Sequence, residues 1–269
     1  MLRLLTTVAV LAAGVVGVSS AAASRADIVP VQVSSNWAGY AVSAPDGADP
    51  FSFGDVTGTW VVSAANCTLA SSSSSAFWVG LGGLSSSSSS LQQLGTESDC
   101  NVDGTASYSA WWEIVPAAVV PIKLKVMPGD TITAAVVVAG QRVTMSLKDV
   151  TRKTRFSTTI TTAQPLDVSS AEWIAEAPSV CGSANRCRVL PLTNFGTVTF
   201  AHAAAIGNAH PGTILDPLWQ ATPIQLSSRS HFGFGRFEPP TTTLPFDAVP
   251  SAPTADGRGF TVAAQTSAG

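Results

Sequence analysis

Short runs of β-branched and aromatic residues, broken by glycine, proline, serine and asparagine, recur along most of the sequence, and this pattern limits the possible folds most strongly. No stretch of the mature part shows sustained helical periodicity, so the runs are typical of strands. The clearest predicted strands cover residues 58–63, 77–81, 108–115, 131–138, 142–147, 156–162, 171–176 and 196–201. Strands at this density without βαβ alternation predict an all-β fold, a two-layer antiparallel β-sandwich.

Turn residues and polar tracts separate these strands. The sequence MPGD at residues 127–130 predicts a turn, because proline presets φ and glycine accepts a positive φ. The strands 131–138 and 142–147 that follow are expected to form a hairpin. Two serine tracts, 71–75 and 85–90, are predicted to be flexible loops on either side of the strand FWVGL.

The N-terminus has the features of a secretory signal peptide. A basic start at Arg3 precedes an uncharged apolar stretch to Val18 and the small residues Ala21 to Ala23. We predict cleavage after Ala23 (signal peptide 1–23) and hence a secreted, extracellular protein that keeps no membrane association; the alternative is a retained membrane anchor.

The rest of the chain is expected to contain one folded domain. A short N-terminal segment covers residues 24–33, and the β-sandwich domain covers residues 34–240. Residues 241–269, rich in proline, threonine and alanine, are predicted to be a loose tail with a possible last strand at 260–263. We expect a monomer.

Charge and cysteine content exclude several classes of function. Charged residues make up 12% of the chain and the net charge is −3, which provides no basic surface for nucleic acid. Four cysteines in an exported chain predict two disulfides, with three possible pairings. Cys181 and Cys187 close a short loop and are expected to pair, which leaves Cys67 with Cys100. Because zinc-type spacings are absent, we predict no metal and no cofactor.

The common hydrolase and nucleotide-binding signatures are missing from the sequence. It contains no G-x-S-x-G, no H-E-x-x-H, no P-loop and no dinucleotide-binding glycine motif between a strand and a helix. A Ser/His/Asp set can be assembled from so many serines, but no spacing singles one out.

Four motifs stand in a defined order instead. They are SSNWAGY at 34–40, FWVGLGG at 77–83 with LQQLGTES at 91–98, YSAWWEIVP at 108–116, and AEWIAEAP at 171–178. In this order they resemble the glutamic peptidases, or eqolisins. The resemblance covers most of residues 34–178 and weakens beyond them. It implies two packed antiparallel sheets, a lectin-like jelly roll, with the active site on the concave face.

The resemblance also implies which residues act. Gln93 falls on the position of the catalytic glutamine and Glu176 on that of the catalytic glutamate, with Gln92 as the neighbour to exclude. By the same resemblance, further residues are expected to line the cleft or bind substrate: Trp37, Trp78, Glu113 and, in a supporting position, Glu172.

The motifs depart from the family pattern at two positions. Gly82 stands where the family strand carries aspartate, and Leu94 replaces a threonine. Loss of the aspartate removes a possible hydrogen-bond partner near the site but leaves the catalytic pair in place.

Strand geometry shows which side chains share a face. In AEWIAE the side chains of Glu172, Ile174 and Glu176 point to one side, because successive residues alternate. Glu172 and Glu176 then lie about 13 Å apart at ~3.3 Å per residue, too far to share a proton as in an aspartic-protease dyad. Trp111 and Glu113 likewise share a face.

One carboxylate and one amide are sufficient for peptide hydrolysis. An ionised Glu176 would take a proton from water, and Gln93 would orient the water through its carbonyl and stabilise the oxyanion through its NH₂. Because glutamate titrates near ~4.3, this predicts an acid endopeptidase acting on protein or peptide substrates.

Two alternatives are compatible with the same residues. A β-sandwich with exposed tryptophans can be a carbohydrate-binding, lectin-like module without catalysis. The second alternative is an inactive relative of the peptidases, favoured by the aspartate missing at Gly82.

Overall fold

The computed structural model of the protein describes residues 30–67, 71–85, 87–181, 187–227 and 246–267. The predicted signal peptide and its cleavage site lie outside these residues. The described residues form strands and connecting turns, and none belongs to a helix long and apolar enough to cross a membrane. The strands are β1 (Gln32–Ser34), β2 (Trp37–Ser43), β3 (Phe53–Val61), β4 (Ala76–Leu81), β5 (Leu91–Cys100), β6 (Ala106–Val115), β7 (Val120–Ile122), β8 (Thr131–Ala139), β9 (Arg142–Asp149), β10 (Thr154–Thr161), β11 (Ser170–Glu176), β12 (Ser179–Cys181), β13 (Cys187–Val189), β14 (Thr197–Gly207), β15 (His210–Gly212), β16 (Gln220–Leu226), β17 (Phe246–Pro250) and β18 (Phe260–Thr266).

Among the described residues, sixteen strands form one continuous sheet. Its main path runs β10-β9-β8-β3-β14-β18-β17-β16-β2-β11-β4-β5-β6-β7, and β12 pairs separately with β13. Neighbours on this path are antiparallel, whereas β1 pairs with β16 in parallel. Strands distant on the path nevertheless pack together, with β3 against β4 and β11 and β8 against β5.

Buried tryptophans connect the two layers that result. Trp173 of β11 donates its indole N–H to the carbonyl of Thr57 at 2.7 Å, and Trp60 of β3 donates to Thr96 Oγ1 at 2.9 Å. The sheet therefore packs as a sandwich, which confirms the predicted fold class. We call the strands β16, β2, β11, β4, β5, β6 and β7 the front layer.

The front layer is buried on both of its faces along β11. Trp173 and Ala175 face the core between the layers, while Ile174 faces a second apolar cluster with Trp37 and Trp78. All seven residues of β11 are buried. The second cluster forms the floor of the surface on which the motif residues lie.

The predicted hairpin is confirmed. β8 and β9 pair from Ile132–Asp149 to Ala139–Arg142, and Gly140 in the turn has a φ of +61°. In the preceding MPGD turn, Gly129 has a φ of +87°, as the sequence indicated.

The disulfide between Cys67 and Cys100 is confirmed. Cys187 is also disulfide-bonded, and the β12–β13 register places Cys181 opposite it. The predicted Cys181–Cys187 pairing agrees with this register.

Two predictions about loose segments need correction. The serine tracts are packed only in part: Ser73, Ser75 and Ser90 are buried, and Ser75 Oγ donates to the carbonyl of Ser98 at 2.7 Å. The other two buried hydroxyls also have partners: Ser73 Oγ accepts from Thr193 Oγ1 at 3.0 Å, and Ser90 Oγ accepts from the amide N–H of Asp167 at 2.7 Å. The exposed members are Ser71, Ser72, Ser85, Ser87 and Ser89.

The tail was predicted to be loose except for a possible last strand at 260–263, but all of residues 246–267 are part of the sandwich. There β17 pairs with β16 and β18, and β18 pairs with β14. Ala248, Phe260 and Val262 bury their side chains in the core between the layers, which explains the order of this segment.

Candidate active site

The strands that carry the sequence motifs are neighbours in the front layer, in the order β2-β11-β4-β5-β6. The register places Glu176 of β11 opposite Trp37 and Ala76. It places Gln93 of β5 opposite Glu113 of β6. Because side chains alternate along each strand, these residues point away from the core between the layers, to a face that we call the cleft face.

Strand alternation also separates Gln93 from its neighbour. Gln92 is fully buried on the opposite face of β5. In the amide orientation that satisfies its hydrogen bonds, Gln92 donates to the carbonyls of Leu81 at 3.1 Å and Asp167 at 3.0 Å and accepts from Ser90 Oγ at 2.8 Å. Gln92 therefore has a structural role, and Gln93 is the glutamine that reaches the cleft face.

Gln93 and Glu176 line the same cavity of about 140 Å³, which we call the central cavity. Both side chains are largely buried, with 5% and 7% of their surface exposed. A water molecule takes up about 30 Å³ in the liquid, so the cavity has room for the water that hydrolysis needs. The other lining residues are Ala76, Glu97, Trp111, Glu113, Val119, Pro178 and Ser179.

The carboxyl group of Glu176 is held by donors from two neighbouring segments. Trp78 Nε1 donates to Oε2 at 2.7 Å, and Asn36 Nδ2 donates to Oε1 at 3.4 Å. Asn36 is oriented by Ser34, whose hydroxyl donates to Asn36 Oδ1 at 3.0 Å. Trp37 packs edge-on against Trp78, with ring centroids 5.0 Å apart. The carboxyl group is therefore fixed in orientation.

Burial raises the pKa of Glu176 from its ordinary value of 4.5 to about 8. The Glu113 carboxyl raises this pKa further, while hydrogen bonds with Trp78, Trp37 and Asn36 lower it. Glu176 is thus protonated throughout the acid range. The sequence led us to expect an ionised Glu176 that titrates near ~4.3, and the pKa raised by burial argues against that expectation.

Gln93 is oriented by Glu113. Its Nε2 donates to Glu113 Oε2 at 2.7 Å, while its Oε1 is buried and accepts no hydrogen bond from any described residue. Burial raises the pKa of Glu113, the hydrogen bond from Gln93 lowers it, and the nearby Glu97 raises it. The amide therefore offers a free acceptor to the cavity.

Glu97 is a cavity residue that the sequence reasoning missed. It lies four residues after Gln93 on β5, so strand alternation puts it on the same face, and it accepts a hydrogen bond from Ser109 Oγ at 2.9 Å. Burial raises its pKa, as it raises that of Asp99 to about 7. Within the described residues the cavity lining has three carboxyl groups and no lysine, arginine or histidine, and no cluster suited to a metal ion is present.

The Peptidase A4 family model matches residues 35–230 of the chain. The chain belongs to this family. The match extends well beyond the motif region, and it confirms the predicted eqolisin family and the enzyme class of a glutamic endopeptidase.

Solved structures of eqolisins have the same fold. Scytalido-glutamic peptidase with a transition state analog inhibitor has a TM-score of 0.65 and 22% identity, over 85% of this chain and 98% of that one. SCP-B in a complex with the tripeptide Ala-Ile-His has a TM-score of 0.60 and 21% identity over the same shares. Aspergilloglutamic peptidase from Aspergillus niger has a TM-score of 0.51 and 19% identity, over 71% of this chain and 98% of that one. No curated protein sequence matches the chain.

The local backbone of this eqolisin explains the departure at Gly82. Gly82 has a φ of +82°, and a Cβ there would lie 2.5 Å from the carbonyl oxygen of Asp167. An aspartate does not fit this position without a shift of the backbone. The carboxylate of Asp167 lies next to it and accepts hydrogen bonds from Gly83 N, at 3.2 Å, and from Ser88 Oγ.

The other residues expected to bind substrate have less access to it in the peptidase. Trp37, Trp78 and Glu172 are fully buried, and none of them is among the residues that line the central cavity. Trp78 acts on Glu176 directly, whereas Glu172 lies beneath the surface, where burial holds its pKa well above the usual range. We therefore assign Trp37, Trp78 and Glu172 to the support of the site and leave Glu113 in its wall.

Proposed function

We propose that this peptidase is a secreted endopeptidase whose catalytic pair is Glu176 and Gln93, and that it acts in acid because its fold is most stable there, while Glu176 itself keeps its proton up to about pH 8. The main support is that a proton-bearing carboxyl group and an unpaired amide oxygen line one cavity. Protein chains are the proposed substrates, in keeping with the tripeptide in the SCP-B structure. The cleft face is built from strands, which suits an extended peptide.

Addition of water can proceed from the protonated form of Glu176. The attacking water donates a hydrogen bond to Gln93 Oε1, which orients it toward the scissile carbonyl carbon. Glu176 gives its proton to the carbonyl oxygen and takes one from the water as the C–O bond forms. The product is a neutral gem-diol, and Glu176 is protonated again. The second N–H of Gln93 Nε2 can stabilise charge that develops on the oxygen.

Collapse of the gem-diol uses the same carboxyl group. Glu176 donates its proton to the amide nitrogen as the C–N bond breaks, and it recovers one from a gem-diol hydroxyl. The products are a free amine and a carboxylic acid, and the enzyme returns to its starting protonation state. No second carboxyl group is required to balance the protons.

The pH dependence separates this route from one that starts with ionised Glu176. If the neutral form is active, kcat/KM falls as the pH rises through about 8, where Glu176 loses its proton. If the ionised form were active, kcat/KM would rise through the same range. A kcat/KM profile between pH 3 and pH 9 on one peptide decides between them.

The proposal is tested with variants of the purified mature chain on acid-denatured casein at about pH 4. Glu176→Gln removes the only proton donor of the scheme, and Gln93→Ala removes the water acceptor; each is expected to lower kcat/KM by about 10²- to 10⁴-fold. Gln92→Ala is the matched control and should retain activity per folded molecule, because Gln92 faces away from the cavity. Full activity of either catalytic variant would refute the assignment.

A carbohydrate-binding function has less support in this fold, because six of the seven tryptophans are buried and offer no platform for a sugar ring. Trp112 alone is partly exposed.

A further inference from the structure

The two ends of the long sheet differ in how well they are protected against another strand. β7 ends the path in the front layer, has three residues, and has Pro121, which lacks an N–H, at its centre. β10 ends the path in the other layer and has eight residues, with no proline, no bulge and Arg155 as its only charge. Among the described residues, β10 pairs only with β9. Natural sheets usually interrupt or cover such an edge, because its unpaired N–H and C=O groups bind another strand.

The hydrogen bonds beside β10 show which of its backbone groups are unpaired. Thr162 N donates to Gln141 O at 3.0 Å, in the same register as the β9–β10 pairs. In an antiparallel strand the N–H and C=O of one residue point to the same side, and successive residues alternate. Even-numbered residues of β10 therefore bond to β9, and odd-numbered ones point to the free edge. The latter are the exposed residues Arg155, Ser157, Thr159 and Thr161.

The side-chain pattern of β10 fits a second copy of the same strand. Opposite residues of an antiparallel pair lie on the same face, so a twofold axis at Thr158 pairs Phe156 with Ile160 of the second copy. On the outer face the same register pairs Ser157 with Thr159. The unpaired groups of the odd-numbered residues then meet, and four residue pairs with two bonds each give about eight hydrogen bonds. Aromatic residues opposite β-branched ones are among the favourable cross-strand pairs.

Charge favours this antiparallel arrangement over a parallel one. Basic residues cluster at the turn between β9 and β10, where Lys148, Arg152 and Lys153 precede Arg155. In the antiparallel pair Arg155 lies opposite Thr161, so the two copies of Arg155 are about 20 Å apart at ~3.3 Å per residue. This distance is about twice the screening length at physiological salt. A parallel pair would bring the two basic turns together.

An uncharged cavity of about 900 Å³ lies beside the same edge. Ile160 at the end of β10 and Leu166 in the loop that follows belong to its apolar wall. In the antiparallel pair, Phe156 of the second copy lies opposite Ile160 and covers apolar surface at this wall. The edge therefore offers both unpaired backbone groups and apolar surface to a second copy.

We infer that β10 is a dimerisation edge, at which two copies of the chain pair antiparallel about a twofold axis at Thr158. Each copy uses its one free long edge, so the assembly closes at two chains. The inference differs from the monomer expected from the sequence. It does not depend on the proposed catalytic pair, because β10 is outside the front layer that carries this pair.

Sedimentation velocity of the mature chain at pH 6, over concentrations from about 5 to 200 µM, measures the association. We expect a dimer with a Kd in the micromolar range, since one strand edge is a small interface. The double variant Ser157→Lys/Thr159→Lys places lysines opposite each other and should raise the Kd at least about tenfold. The matched control, Ser157→Lys/Thr159→Glu, places lysine opposite glutamate and should associate at least as strongly as wild type. Urea unfolding at the same pH checks that both variants are folded.

A cross-link tests the register directly. On the twofold axis Thr158 lies opposite its own copy, in a non-hydrogen-bonded pair whose Cα atoms are about 4.5 Å apart. This distance is within the range of a disulfide, so oxidised Thr158→Cys should form a covalent dimer on a non-reducing gel. Ser157→Cys is the matched control, because its two copies are about 9 Å apart and too distant to bridge.

Several outcomes would overturn the dimer. They are a wild-type chain that stays monomeric over the whole concentration range, a dimer that both double variants leave intact or weaken equally, and growth beyond two copies. Cross-linking of Ser157→Cys as efficient as that of Thr158→Cys would refute the register and with it the inference. The proposed peptidase function is unaffected by any of these results.

Discussion

Replacement of Glu176 by glutamine should stabilise the fold at neutral pH. The folded protein keeps the Glu176 proton up to about pH 8, whereas the unfolded chain loses it near the ordinary pKa of 4.5. Between these pH values the folded state binds more protons, so the free energy of unfolding falls as the pH rises. The rise in pKa from 4.5 to about 8 corresponds to about 5 kcal/mol at 1.36 kcal/mol per pKa unit. The glutamine of Glu176→Gln does not titrate, so the variant should lose this part of the pH dependence of the unfolding free energy.

Urea unfolding of the oxidised protein at pH 4, 6 and 8 measures the effect. The seven tryptophans of the chain provide a fluorescence signal. We expect wild type and Glu176→Gln to have similar free energies of unfolding at pH 4. At pH 8 the unfolding free energy of the variant should be higher by several kcal/mol. Asp49→Asn, at an exposed position, should follow the wild-type slope. Parallel pH profiles of wild type and Glu176→Gln would show that Glu176 is not a buried neutral acid, and the proposed proton path would lose its basis.

Three further predictions concern individual contacts. Glu113→Ala frees the amide of Gln93 and should lower kcat about 10- to 100-fold with little change in KM, whereas Glu113→Gln keeps an acceptor and should retain most of the wild-type kcat. Steady-state kinetics with one peptide measures both variants, and a change in KM alone would contradict the positioning role of Glu113. Trp78→Phe removes a hydrogen-bond donor that lowers the pKa of Glu176, so the fall of kcat/KM at alkaline pH should move to higher pH. A pH profile of kcat/KM in which this fall stays in place or moves to lower pH would argue against the contact. Loss of the Cys67–Cys100 disulfide, which spans 33 residues, should cost about 4 kcal/mol in urea unfolding, and a loss well under 1 kcal/mol would mean that the loop is already constrained in the unfolded chain.

The resemblance to the eqolisin motifs selects Gln93 and Glu176, and strand alternation predicts the face on which each side chain lies. Side chains alternate with a period of two, so the sequence alone assigns Glu176 to the face of Ile174 and Gln93 to the face opposite Gln92. The hairpin of β8 and β9 followed from its turn residues, and the sandwich from the density of strands. These are local features, and local chemistry determines them.

Features that depend on distant parts of the chain were beyond the sequence reasoning. The pKa of Glu176 depends on how completely Trp37, Trp78 and Asn36 cover it, and these residues come from β2, β4 and the turn before β2. The order of the last two strands depends on β14 and β16, which pair with them. Glu97 could have been predicted as a cavity residue, since it lies four residues after Gln93 on the same strand and therefore on the same face.

Burial of the front layer on both faces favours the proposed role of one carboxyl group in both steps of hydrolysis. In the proposed route Glu176 gives its proton before it takes one, so it has to start with a proton at the working pH. Aspartic proteases retain that proton because two adjacent carboxylates cannot both ionise. In this fold Glu172 lies about 13 Å along the strand from Glu176 and cannot take that role. Desolvation by β2, β4 and the packed indoles raises the pKa of Glu176 instead, while the hydrogen bond from Trp78 limits the rise and fixes the group in place. The raised pKa also predicts a fold that loses stability as the pH rises from about 4.5 to about 8, in keeping with the proposed action in acid.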